Sequence, residues 1–204
     1  LVYDVADFDV TVSFTDGTTP QIAASGAEMA SGSESSRRFE LEAGRTFALS
    51  ISTDYKVATQ TVGNVKVFAY YFAFYDEEGE ALLQTTAQAL QVFSEKFGPY
   101  RHKTMTAVQG DFNDGMEYSA FYFISRDYFN LYDGTPVNYL VTIGAHETAH
   151  QWWFDAVAND QGIEPWLDEA LATYSERVYY EAIYPDLVSS WQGYRYFEFQ
   201  NAGA

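Results

Sequence analysis

The feature that most restricts how this chain can fold is a change of hydrophobic period at residues 76–78. Before Asp76-Glu77-Glu78 the apolar residues alternate, as Phe8, Val10, Val12 and Phe14 do within YDVADFDVTVSF. TFALSIS (46–52) and VKVFAYYFAFY (65–75) continue in the same style. A period of two puts one face of a strand into a core, and aromatic side chains pack well on that pleated surface. After the acidic triplet the spacing becomes helical, through Leu83, Ala87, Leu90, Phe93 and Phe97, and Gly98-Pro99 ends it. Asp76 reads as a cap, with the acidic residues that follow facing the positive end of the helix dipole. The switch predicts an α+β chain, with a β-rich part over 1–75 and mixed α/β structure over 76–204. Within the first part, Asp16-Gly17 supplies a turn and the polar stretch 24–38 reads as a loop.

In the second part, 103–109 and 117–125 read as strands separated by the loop GDFNDGME. A helix is expected from Thr135, a cap, and Pro136, whose missing N–H costs nothing in the first turn. Its apolar stripe is Val141, Ala145, Ala149 and Trp152, running to about residue 156. Pro165 opens the next helix, with Trp166, Leu167, Ala170, Leu171, Tyr174 and Val178 expected to face inward. This frame places the pentapeptide His146-Glu147-Thr148-Ala149-His150 in the middle of one helix and Glu169 near the start of the next.

Residues four apart share a helix face, so His146 and His150 can aim at one centre. Two imidazoles make half of a tetrahedral Zn²⁺ site. Glu147 projects about 100° away from His146, so it can reach a water at the metal without binding the metal. That is the logic of H-E-x-x-H. A catalytic zinc takes a third protein ligand and keeps one position open. No third histidine is close: His102 lies 44 residues upstream of His146 and reads as a surface or strand-edge residue. A carboxylate is the expected ligand, and Glu169, with 18 residues between it and His150, returns over the metal on the second helix. Glu176, seven residues further on, comes back to nearly the same face and is expected to hold the far nitrogen of one ligand histidine.

HETAH, the eighteen-residue spacing and PWLDEALATYSE together resemble peptidase family M1, the zinc aminopeptidases among the gluzincins related to thermolysin. In that family the third-ligand segment commonly reads WLNEGFATY, and QWFGN commonly follows the second histidine; Asp155 stands here where the asparagine is usual. Gly115-Met116-Glu117-Tyr118 resembles the family's GAMEN or GGMEN motif, with Tyr118 in place of the asparagine. The resemblance implies a thermolysin-like zincin domain with a mixed sheet and an HExxH active-site helix over 76–204, preceded by the closing part of a β-rich N-terminal domain over 1–75. It implies one Zn²⁺ on His146, His150 and Glu169, Glu147 as general base, and Glu117 binding a substrate's free α-amine, with the backbone at Gly115 and Met116 positioning the scissile peptide. The family's oxyanion-stabilising tyrosine lies further from the third ligand than Tyr194 or Tyr196, so the catalytic domain is expected to continue past Ala204.

Lys and Arg total 11 against 29 Asp and Glu, a formal charge of −18. Such a surface has no basic stripe to replace a phosphate backbone's counterions, which excludes nucleic acid as a partner, and it favours cationic ligands such as metal ions or a peptide's free amine. No cysteine is present, so thiolate ligands and disulfides are excluded. No apolar run reaches the ~20 residues of a membrane-spanning helix. The expected activity is hydrolysis of the N-terminal peptide bond of a peptide. Two other readings share the residues: a gluzincin endopeptidase, in which Glu117 recognises no amine, and a zinc-binding interaction domain that has lost catalysis.

Overall fold

In a computed structural model, residues 2–30 and 35–201 are described, the last six of them by backbone alone. The chain runs β1 (Ala6–Ser13), β2 (Gln21–Ala24), β3 (Ala27–Met29), β4 (Ser36–Gly44), β5 (Leu49–Ser52), β6 (Tyr55–Val62) and β7 (Val65–Phe72). Helix α1 (Asp76–Phe97) follows, then β8 (Thr104–Gly110), β9 (Gly115–Tyr118), β10 (Phe121–Ser125), α2 (Arg126–Asn130), α3 (Tyr139–Ala149), α4 (Trp166–Ile183) and α5 (Val188–Asn201). The α+β reading holds. The loop expected over 24–38 is instead partly β3 and the start of β4; residues 31–34 lie outside the described part.

The sheet that positions everything else has five strands in the order β6-β7-β8-β10-β9. It is mixed: β7–β8 and β8–β10 are parallel, while β6–β7 and β10–β9 are antiparallel. β7, α1 and β8 therefore form a crossover unit, with α1 covering one face of the sheet. Strands β6 and β7 precede residue 75 yet hydrogen bond into the same sheet as β8 to β10, so the change of sequence character at 76 is not a sheet boundary. β8 is buried along its whole length, Thr104, Thr106 and Gln109 included, as befits a central strand with parallel neighbours on both sides. Val67, Ala69, Leu82, Phe93, Met105 and Tyr122 build the main core with the inner face of α3.

Several boundaries differ from expectation, each for a local reason. The strand expected over 117–125 is two strands, because Ala120 takes φ 57° and turns the chain between β9 and β10. Asp76 does not cap α1; Tyr75 stands at the cap position and Asp76 pairs with Lys56 at 2.7 Å. Helix α3 begins three residues after Pro136. Its cap is Asn138, whose side chain accepts from the Val141 N–H at 3.1 Å, while Thr135 donates to Asp133 in a separate turn. HETAH is consequently at the C-terminal end of α3, not in its middle.

Beyond Ala149 the helix widens. Asp155 N donates to His150 O at 3.0 Å and Val157 N to Trp152 O at 2.9 Å, both five residues back, and Trp153 leaves helical geometry at φ −104°, ψ 57°. On α4, Val178 is buried as expected, but Trp166 and Tyr174 are exposed, at 62% and 58%. Of the tryptophans expected in the core, Trp152 is buried and Trp166 instead borders a cleft. Among the described residues no helix is long and apolar enough to cross a membrane.

Candidate metal centre

The cleft lies between the edge strand β9 and the helices α3 and α4, with a volume of about 690 Å³. Helix α3 delivers His146 and Glu147 into it, and His150, the residue just after its last turn, stands against His146; all three are buried. Glu169, in the first turn of α4, enters from the opposite wall. His146 Nε2 stands 3.2 Å from His150 Nε2 and 3.1 Å from Glu169 Oε2, with His150 Nε2 at 3.9 Å from the same oxygen. Four ligands about 2.0–2.1 Å from a tetrahedral metal lie about 3.3–3.4 Å apart, so this triangle has the size of one face of such a site.

The hydrogen bonds behind the rings fix what they present. His146 Nδ1 meets Glu176 Oε1 at 2.9 Å and His150 Nδ1 meets the Trp153 carbonyl at 3.1 Å. Both partners accept, so both Nδ1 atoms donate, and both Nε2 atoms turn lone pairs toward each other and toward Glu169. Three lone-pair donors facing one point could hold a cation there, and the residues fit a zinc-sized ion with nitrogen and oxygen ligands. The widened helix end contributes directly, because the break at Trp153 is what returns its carbonyl to His150.

A proton competes for the same place. Burial works against the charged form of His146, but hydrogen bonds to Glu169 and Glu176 push its pKa up to about 10. Burial and the neighbouring His146 push His150 the other way. The His146 hydrogen bond holds the Glu169 carboxyl below the usual carboxylate range, against its partial burial.

Glu147 is 4% exposed, and burial, aided by the charges of Glu117, Glu169 and Asp114, drives its pKa well above the ordinary value while His146 opposes. Its Oε1 sits over Gly115: a Cβ there would lie 2.1 Å from that oxygen. Its Oε2 is buried with no hydrogen-bond partner among the described residues. An orphaned carboxylate oxygen beside a cation site is a place for a water molecule or a reacting group.

Glu117, on β9, is 7% exposed and lines the cleft with Gly115; Met116 points away from the core at 41% exposure. The structure thus brings Gly115, Glu117, Glu147, His146, His150 and Glu169 to one cleft, and sets Glu176 behind His146. Spacing along the sequence gave no sign of several partners. Gln161 Nε2 donates to Glu117 Oε1 at 2.8 Å and also to Asp168 Oδ2, bridging two carboxylates on different elements. Asp114 Oδ1 accepts from the Tyr128 hydroxyl at 2.8 Å at the cleft rim. Arg195, from α5, donates to Glu176 Oε1 at 2.6 Å. Asp168 alone carried a signal, as the immediate neighbour of Glu169.

His102 is neither a surface nor a strand-edge residue. It is 7% exposed, and its Nε2 meets Asp155 Oδ2 of the widened helix end at 2.8 Å. The polar loop before β8 hid its burial.

Comparison with known proteins places the chain in context. Residues 81–203 match the Peptidase family M1 domain. Over 137 residues the chain is 28% identical to Aminopeptidase M1 of Arabidopsis thaliana, a stretch covering 64% of this chain and 16% of that protein. It is 27% identical over 142 residues to Aminopeptidase M1-D of Oryza sativa subsp. japonica, covering 65% and 16%. With Aminopeptidase 2 of Candida albicans it shares 31% over 123 residues, 57% of this chain and 13% of the other. The chain spans about one-sixth of the length of the first two relatives. With the family match running from α1 through the cleft-forming helices, this chain belongs to peptidase family M1.

Proposed function

We propose that the protein is a zinc-dependent aminopeptidase, in which His146, His150 and Glu169 hold one Zn²⁺ and Glu147 is the general base. The observation that carries this reading is the convergence of three lone-pair donors beside the unpartnered, buried Oε2 of Glu147. When bound, zinc supplies Lewis acidity, acidifying water and polarising the scissile carbonyl. Glu147 Oε2 takes a proton from the attacking water and returns it to the leaving amine. Packing of its Oε1 against Gly115 holds the carboxylate in place, and a cation beside it would counter the burial that otherwise favours its protonated form. Glu176 and the Trp153 carbonyl keep both imidazoles in the metal-binding tautomer.

Glu117 binds the substrate's α-ammonium, with the backbone at Gly115 and Met116 positioning the scissile peptide. The acidic lining of the cleft favours that end of a peptide. The relatives named as aminopeptidases support the same substrate class. Residues 1–75 are read as the closing part of a β-rich N-terminal domain and 76–204 as the front of a thermolysin-like catalytic domain, with β6 and β7 running across that division into the catalytic sheet.

The test compares a free-amine peptide with its N-acetylated twin in the intact protein, alongside Glu147→Gln. The expected result is cleavage of the free peptide only, and loss of at least 10²-fold in kcat with zinc content unchanged in E147Q. Equal cleavage of the blocked peptide overturns the aminopeptidase reading in favour of an endopeptidase. Full activity of E147Q removes Glu147 from the mechanism. Zinc uptake without cleavage of either peptide leaves a zinc-binding interaction domain.

A further inference from the structure

We infer that Arg195 and Trp191, on helix α5, are positioning residues that set how tightly the His146 ring holds a metal ion, acting through Glu176; this rests on the zinc reading above. Glu176 is fully buried, and its two oxygens receive three donors. His146 Nδ1 at 2.9 Å and Arg195 Nη2 at 2.6 Å share Oε1, and Trp191 Nε1 at 3.2 Å takes Oε2. Trp191 and Arg195 stand four residues apart and so share one face of α5. Trp191 is 6% exposed and packs flat on Tyr180 at 5.6 Å, which fixes the indole.

The physical argument starts from the cost of burying a carboxylate. A lone Glu176 without solvent is stable only with its charge matched and its lone pairs filled. A single imidazole N–H does neither. The Arg195 guanidinium matches the charge, and donors on both oxygens remove the carboxylate's freedom to rotate. Glu176 is thereby an oriented anion, so it fixes the His146 ring plane and makes Nε2 a stronger electron donor. Arg195 also lines the cleft itself, the sole Lys or Arg among the residues described there, opposite Asp114, Glu117, Glu147 and Glu169. The guanidinium thus pairs with the anion behind the ligand while also standing at the wall of the cleft. Among its described side chains helix α5 contributes no ligand, yet through Glu176 it governs one.

The experiment is a zinc titration against a competing chelator, on the intact protein, for the unsubstituted form, R195M, W191F, E176Q and the double variant R195M/E176Q. R195M is expected to weaken zinc binding about tenfold, the low end for a group that orients a ligand. W191F is expected to weaken it about fivefold, because one hydrogen bond of the carboxylate is lost while its charge stays paired. In the E176Q background, R195M is expected to add less than about twofold, because the pathway is already cut. Unchanged affinity in R195M overturns the inference, and so does an undiminished tenfold loss on top of E176Q, which would mean Arg195 does not act through Glu176. Metal-free melting reports folding separately. If R195M does not fold, R195K decides: weakening of about two- to fivefold supports the coupling and unchanged affinity overturns it. An unsubstituted protein that takes up no zinc sinks the zinc reading, and this inference with it. Zinc bound equally well with and without Arg195 sinks the inference alone.

Discussion

At Gly115 the backbone of β9 and the side chain of Glu147 occupy adjoining space, with 2.1 Å available where a Cβ would need more than 3 Å. A methyl group there must push either the strand or the carboxylate aside. We therefore expect Gly115→Ala to fold, retain zinc and lose about 10²-fold in kcat, the cost of misplacing a reacting group by about 1 Å; metal analysis with steady-state kinetics checks this. The prediction fails if kcat is unchanged. At this scale the proposed metal ligands were legible in the sequence because their geometry is set by helix periodicity: His146 and His150 share a face whatever surrounds them. Glu176 was legible for the same reason, seven residues after Glu169 on one helix. Gln161, Trp191 and Arg195 were not. Each reaches its partner across a loop or a helix pair, and no spacing rule connects Gln161 to Glu117, 44 residues earlier.

Among the elements, the joint between the end of α3 and the strands shows how much a helix terminus can carry. The widened turn at 151–156 sends the Trp153 carbonyl back to His150 and Asp155 out to His102. Arg45 Nε donates to the Asp155 carbonyl at 2.8 Å, and Ser119 Oγ accepts from Arg45 N at the same distance, so the residues just after β4 and β9 meet the widened turn at one part-buried knot. Burial works against the Asp155 charge, but the His102 hydrogen bond and charge, with Ser119 and Arg101, hold its carboxyl below the usual carboxylate range. His102→Ala leaves that carboxylate short of its main partner. We expect a loss of about 3 kcal/mol in stability, the low end for breaking a buried pair from one side, measured by denaturant unfolding.

The sign of the pH dependence follows from the depressed value. Asp155 contributes stability that is present above the unfolded carboxylate pKa of about 3.9 and is lost as pH falls through the lower folded value. In Asp155→Asn that component disappears, so the fall in stability below about pH 4 becomes shallower than in the unsubstituted protein; an equally steep fall refutes the assignment. The start of α3 illustrates the limit of local reading. Thr135-Pro136 is a sound helix opening, yet Asn138 wins because its amide can cap Val141 while also donating to the Thr135 carbonyl. That choice depends on a geometry the order of residues does not reveal.

Over the whole molecule, the periodic pattern gave fold class and the position of α1 correctly, but it did not show that β6 and β7 join the later sheet. Pairing partners of a strand are a matter of topology, and a hydrophobic alternation says only which face is inward. The same limit explains Trp166 and Tyr174: helical spacing marked them as inward, while α4 turns them to the cleft rim and the surface. The zinc reading has a consequence at this scale too. A metal held by residues from α3 and α4 ties together two helices joined by an irregular segment, and it binds the folded state only. Zinc at about 100-fold over its dissociation constant should stabilise the fold by about 2.7 kcal/mol. Thermal melts with and without a chelator should differ accordingly, and superimposable melts refute a zinc site of that affinity.

β9 is the outermost strand of its sheet and only four residues long. Its outer rim therefore measures about 14 Å, at roughly 3.4 Å per residue, and side chains of Asp114 and Gln151 already take the Gly115 N–H and the Tyr118 carbonyl. A peptide laid along that rim as a sixth strand can be read through its backbone for two or three residues and no further. Main-chain pairing of this kind ignores side-chain identity, so discrimination among sequences must come from elsewhere in the cleft. The same brevity makes the rim a poor template for another copy of the sheet: a grip on short backbone stretches is had without an adhesive edge.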